Sequence, residues 1–144
     1  MKSAANVKYA VVTPPAAIVD AAAFTTAAID TLGYEHLTIL AIFGAIDIAP
    51  ASASIRMSDA SNMGSPTTIA TGGTDFALAT AADSDNDIHA FEVDLIGRQR
   101  YIDFEITGGD GSSGTYLTVI AILSRPAESP NSAADRGVEV YANV

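Results

Sequence analysis

Strict alternation between apolar and charged residues over Tyr101–Thr107 constrains this chain more than any other feature. Ile102, Phe104 and Ile106 take one parity, Asp103 and Glu105 the other, the pattern of a strand with one buried face and one wet face. A glycine- and serine-rich run, Gly108–Gly114, follows it, and a second β-rich run extends from Thr115 to Arg125. Glycine tolerates backbone angles that other residues avoid, so Gly97–Arg125 reads as a β-hairpin at the centre of an antiparallel sheet.

Other segments carry the same period. In Tyr34–Gly44, Leu37, Ile39, Ala41 and Phe43 fall on one side and Leu40 and Ile42 on the other; a strand apolar on both faces lies in mid-sheet under cover, or has one face closed by a partner subunit. Tyr116, Ile120 and Ile122 oppose Leu117, Val119, Ala121 and Leu123 in the same manner. Shorter strands are expected at Ser54–Ser58, on an edge at Thr67–Ala70, and at Ile88–Leu95, where Phe91, Val93 and Leu95 point inward. Ile88 has the opposite parity, which a bulge or strand start near His89 would reconcile. Ala16–Leu32 is ambiguous: its alanines favour a helix and its β-branched residues a strand, with strand favoured over Phe24–Asp30.

Seven to nine strands at about this spacing predict an all-β fold, an antiparallel β-sandwich of jelly-roll-like form. Pro14-Pro15 would end a strand over Val7–Val12, because proline cannot donate to a ladder. The expected organisation is an N-terminal arm over 1–15, the sandwich over 16–125 and a C-terminal arm over 126–144, the last carrying a strand or pairing segment at Val138–Tyr141.

At 144 residues the chain has the length of one domain with a sizeable core. Cysteine is absent, which excludes disulfides and thiolate metal sites. The first residues lack the uninterrupted apolar core of a secretory signal, and no run reaches the length of a membrane span, so a soluble protein made in the cytoplasm is expected. A net charge of −10 repels phosphate backbones. Neither nucleic acid nor membrane is an expected partner.

Asp83, Asp85 and Asp87 place carboxylates at alternate positions, a weak calcium signal, since Ile88 and Asp94 stand where an EF-hand loop has its glycine and glutamate. A solvated inter-strand loop is the favoured reading of them, and no metal or other cofactor is expected. His36 and His89 have no catalytic motif around them, and Glu92/Asp94 and Asp103/Glu105 follow from amphipathic strands without glycosidase chemistry. No enzyme is therefore predicted. Arg98 and Arg100 either clamp carboxylates on a partner or pair locally with Asp94 or Asp103.

Four stretches, Ala28–Ile39, Ile55–Asp59, Gly97–Ile102 and Ala121–Arg125, resemble the small β-rich capsid decoration, or cement, proteins of tailed bacteriophages. The resemblance runs from about Phe24 to Pro126. It implies a jelly-roll-like homotrimer bound to the major capsid protein on the outer surface of the virion, bridging capsomers by binding energy alone. Val7, Tyr9, Val11, Val138, Val140 and Tyr141 in the arms, with Arg98 and Arg100, would then contact the capsid or other subunits. Deleting 1–13 or 126–144 would weaken attachment and leave the sandwich folded. The alternative is a carbohydrate-binding β-sandwich of a phage tail or fibre, with Tyr34, Tyr101 or Tyr116 as the sugar platform, against which the lack of tryptophan weighs.

Overall fold

The computed structural model describes residues 6–18, 23–80, 84–108, 110 and 114–142. Among them are nine strands: β1 (Lys8–Ile18), β2 (Ala23–Thr25), β3 (Ile29–Asp30), β4 (Tyr34–Ile46), β5 (Ser52–Ser58), β6 (Thr67–Thr71), β7 (Ile88–Asp94), β8 (Tyr101–Thr107) and β9 (Thr115–Pro126). One antiparallel sheet has the order β1-β9-β4-β7, and the other β2-β8-β5-β6 with β3 also paired to β8. Every connection except β2–β3 and β5–β6 passes from one sheet to the other. That order is a jelly roll, and the all-β sandwich expected from the alternation is present.

The inner faces are the predicted ones. Leu37, Ile39, Ala41 and Phe43 of β4 and Leu117, Val119, Ala121 and Leu123 of β9 meet Ile55 of β5 and Ile102, Phe104 and Ile106 of β8 in one buried core. Phe91 of β7 stacks on Phe104 across the sheets, with ring centroids 5.4 Å apart. Alternation sufficed here because each of these strands has one face that must leave water.

Connectivity corrects the hairpin reading. β8 and β9 lie in different sheets, β8 between β2/β3 and β5, β9 between β1 and β4. Their apolar faces meet across the core from opposed sheets. Ile88 needs no bulge: the β4–β7 ladder runs unbroken from His36↔Asp94 to Ile42↔Ile88, and Ile88 points outward with 60% of its surface exposed. In the ambiguous segment, β2 and β3 replace a single strand. Between them the Thr26 hydroxyl accepts a hydrogen bond from Phe104 N at 3.1 Å, standing in for a ladder bond.

The expected N-terminal arm is largely sheet. β1 continues through Pro14-Pro15 and pairs with β9 from Lys8↔Leu123 to Ile18↔Thr115, with register shifts on either side of Thr13. Prolines are tolerated because β1 is an edge strand and the irregularities absorb their missing donors. Deleting 1–13 would therefore strip most of one edge of the core, including buried Val12, and leave no intact sandwich.

Beyond β9 the chain folds back on that edge, and Val138–Tyr141 forms no strand. Tyr9 N donates to Arg136 O at 2.7 Å, Arg136 Nη2 donates to Pro130 O at 2.7 Å, and the Arg136 guanidinium lies 4.2 Å from the Tyr141 ring centroid. Gly137 has φ +70, and a Cβ there would run into the Tyr9 carbonyl. Gly137→Ala should undock the segment after Pro126. Proteolysis of that segment should rise sharply while the melting temperature of the sandwich falls little.

Candidate functional site

The outer face of the four-stranded sheet is apolar where a sandwich normally meets water. Register places Tyr9 and Val11 of β1 beside Ile122 and Ile120 of β9, Ile120 beside Leu40 of β4 and Leu40 beside Ala90 of β7, and Ile42 beside Ile88, with Thr38 and Thr118 completing the rows next to Ile122 and Ile42. Val11 is 65% exposed and Tyr116 55%; Leu40, Ile42, Ile120 and Ile122 are partly exposed. The sequence predicted two apolar faces on β4 and β9, and the inner sheet packing covers one of them. A contiguous apolar sheet face is a feature of surfaces that bind other proteins.

One corner of this face is polar. His36 Nε2 lies 2.8 Å from Glu92 Oε2, its Nδ1 is 3.1 Å from Ser124 Oγ, and Thr38 Oγ1 donates to Glu92 Oε2 at 2.9 Å. A histidine between a hydroxyl and a carboxylate is the arrangement that activates nucleophiles. Here it lies on a strand face, with His36 paired to Asp94 on one side and to Ser124 on the other. Sequence spacing did not reveal the cluster, because its members come from three strands brought into register by the fold. His89 points inward instead, edge-on to Phe43 at 5.0 Å.

Residues singled out from the sequence are dispersed. Asp83 lies outside the described residues; Asp85 accepts a hydrogen bond from Ile46 N at 2.7 Å, which fixes the β4 end, and Asp87 is exposed. No group of three or more potential metal ligands occurs among the described residues. Arg100 pairs with neither Asp94 nor Asp103 but forks onto Asp30, Nε to Oδ1 at 2.9 Å and Nη2 to Oδ2 at 2.7 Å, while lying 5.0 Å from the Tyr101 ring centroid. Arg98 is exposed. Tyr9 and Val11 belong to the apolar face, whereas Val7 precedes β1, and Val138, Val140 and Tyr141 lie in the C-terminal segment. Tyr34, Tyr101 and Tyr116 form no common platform: Tyr34 lines a shallow groove with Leu32 and Glu128, Tyr101 lies beside Arg100, and Tyr116 packs over Gly44.

The Arg100 hydrogen bond holds the Asp30 carboxyl below the ordinary aspartate range. A depressed folded-state pKa contributes stability that is present above the unfolded value of about 3.9 and lost as pH falls through the folded value. Asp30→Asn should therefore narrow the gap in urea-unfolding stability between about pH 6 and pH 3. Both groups are nearly half exposed, so the change is small.

The outer face of the opposite sheet carries a groove. Loop 59–66 folds over it, tied down where Ser58 Oγ donates to Gly64 O at 2.8 Å. With Thr25, Thr26 and Ala28 this loop walls a groove of about 450 Å³. Its floor is a charged set. Arg56 of β5 donates from Nε and Nη2 to the two oxygens of Asp103 at 3.0 and 2.7 Å, and from Nη1 to Glu105 Oε2. Asp103 is 1% exposed although it belongs to the outward parity of β8. The Asp103 carboxylate holds the guanidinium protonated beyond its usual range. Ladder register Arg56↔Asp103 makes the pair; the lone charge of Arg56 in a strand of small and apolar residues was its sequence signal.

No family model matches the chain, and no curated protein does. Among solved structures it is similar to the crystal structure of PBSX exported protein XepA, a phage-related protein, with a TM-score of 0.54 and 19% identity. The match covers 94% of this chain and 40% of that one, so the chain spans less than half the length of its neighbour. At this identity the likeness is one of fold.

Proposed function

We propose that this chain is a structural protein of a phage particle, a decoration protein that binds the outer surface of the head and reinforces contacts between capsomers. The observation that carries the reading is the apolar outer face of β1-β9-β4-β7, which the described residues leave partly exposed. The jelly-roll fold and the phage-related neighbour support it. Function on this account is association. The face closes against the major capsid protein or against further copies of this chain in a homotrimer, and repeated weak contacts within a trimer add through avidity. The arms contribute less than the sequence implied, since β1 is committed to the sheet and the C-terminal segment covers its edge.

Quantitative mass spectrometry of purified particles from the source of this chain tests the reading. A copy number comparable with that of the major shell protein is expected. A handful of copies would move the chain to the tail or fibre, and none would remove the proposal.

A further inference from the structure

We propose that the groove on the outer face of the five-stranded sheet binds a neutral saccharide through a vicinal diol. A guanidinium has five N–H donors in one plane. Arg56 spends three of them on Asp103 and Glu105, which fixes its plane against the groove floor and leaves two N–H groups. Glu105 uses one oxygen for Arg56 and is 29% exposed, so its other oxygen can accept a bond from the groove. Donor and acceptor are thus held side by side. Each hydroxyl can accept from an N–H and donate its proton to a carboxylate oxygen, so two adjacent hydroxyls can engage both remaining N–H groups and the Glu105 carboxylate together, where a single hydroxyl reaches one N–H and a carbonyl has no proton to donate.

Charge narrows the ligand. The set Arg56, Asp103 and Glu105 sums to −1 and the whole chain to −10, which disfavours phosphate, sulfate and sialic acid. A cation gains little, because Glu105 is already paired. The walls supply further hydroxyl and amide groups from Thr25, Ser61 and Asn62, with Met63 and Pro66 as the apolar strip for ring C–H groups. The groove's size falls in the range of small-ligand clefts, about 300–1,000 Å³. Without an aromatic platform each site is weak, and affinity rises where several copies display it together.

This groove lies on the sheet opposite the proposed docking face, so both can be filled at once and either can fail alone. The test is a glycan array carrying neutral and anionic saccharides, probed with the full chain, followed by calorimetric titration of the best neutral hit into wild type, Glu105→Gln and Ser61→Trp. Neutral glycans with an accessible vicinal diol should bind. Glu105→Gln should weaken binding at least tenfold and Ser61→Trp should abolish it, each variant remaining cooperatively folded at the titration temperature. The proposal is overturned if no neutral glycan binds, if only anionic ones do, or if binding survives both substitutions, which would put a sugar elsewhere, on Tyr34 or Tyr116.

Discussion

Replacing Ile120 and Ile122 together by lysine is expected, on the proposed docking, to abolish binding to phage heads while leaving the protein folded. Both side chains point away from the core, between Tyr9 and Val11 on one side and Thr38 and Leu40 on the other. Full burial of an isoleucine from water contributes about 1.5–3 kcal/mol. Each is already about two-thirds covered in the free chain, so at most about a third of that remains to be gained on docking, about 1 kcal/mol for the two. That is about a fivefold loss of affinity for each contact, and lysine adds the cost of desolvating charge. In a multivalent shell component the loss multiplies with the number of contacts. Co-sedimentation with heads lacking the protein measures it. Serine at both positions should act in the same direction with smaller size, which separates lost apolar area from added charge. Unchanged occupancy of either variant would mean that the outer face of β1-β9-β4-β7 is not what docks.

Arg56→Ala should be the most damaging single change to stability outside the apolar core. It leaves Asp103 almost fully buried with its bidentate partner gone, and breaking a buried pair from one side costs about 3–5 kcal/mol. Chemical unfolding should show this as a lower midpoint with an unchanged slope. Arg56→Ala combined with Asp103→Ala should recover a large part of the loss, because the stranded charge goes with it. Arg56→Lys should fall between, since an ammonium keeps the charge and forfeits the fork. A double variant no better than Arg56→Ala alone would show that the pair acts through packing rather than charge.

What could be read from the sequence and what could not divide along one physical line. Alternation is local, so the inner faces of β4, β8 and β9 and the outward parity of Glu92, Asp94 and Glu105 were legible residue by residue. Which strands pair is decided by burying whole faces, and that is why Gly97–Arg125 resembled a hairpin when its two strands belong to opposite sheets. The prolines of β1 misled in the same way. Proline forbids a central ladder position, not an edge beside an irregular register, and edge status depends on the whole fold. Asp103 looked like a solvent-facing residue because its parity is outward; loop 59–66 and Arg56 bury it. The Arg56 and His36 clusters each join residues from different strands, distant in sequence and adjacent only through register. The apolar outer face was the exception: the doubled hydrophobic pattern of β4 and β9 signalled it directly, because one sandwich core can cover only one side of each strand.

Electron cryomicroscopy of heads incubated with the chain, at a resolution that separates the two sheets, shows which sheet docks. Val11, Leu40, Ile42, Ile120 and Ile122 are expected to lie against shell protein or neighbouring copies of this chain, with the Arg56 groove turned toward solvent. A map in which the β1-β9-β4-β7 face is bare and the protein sits on the shell through its other sheet would contradict this docking.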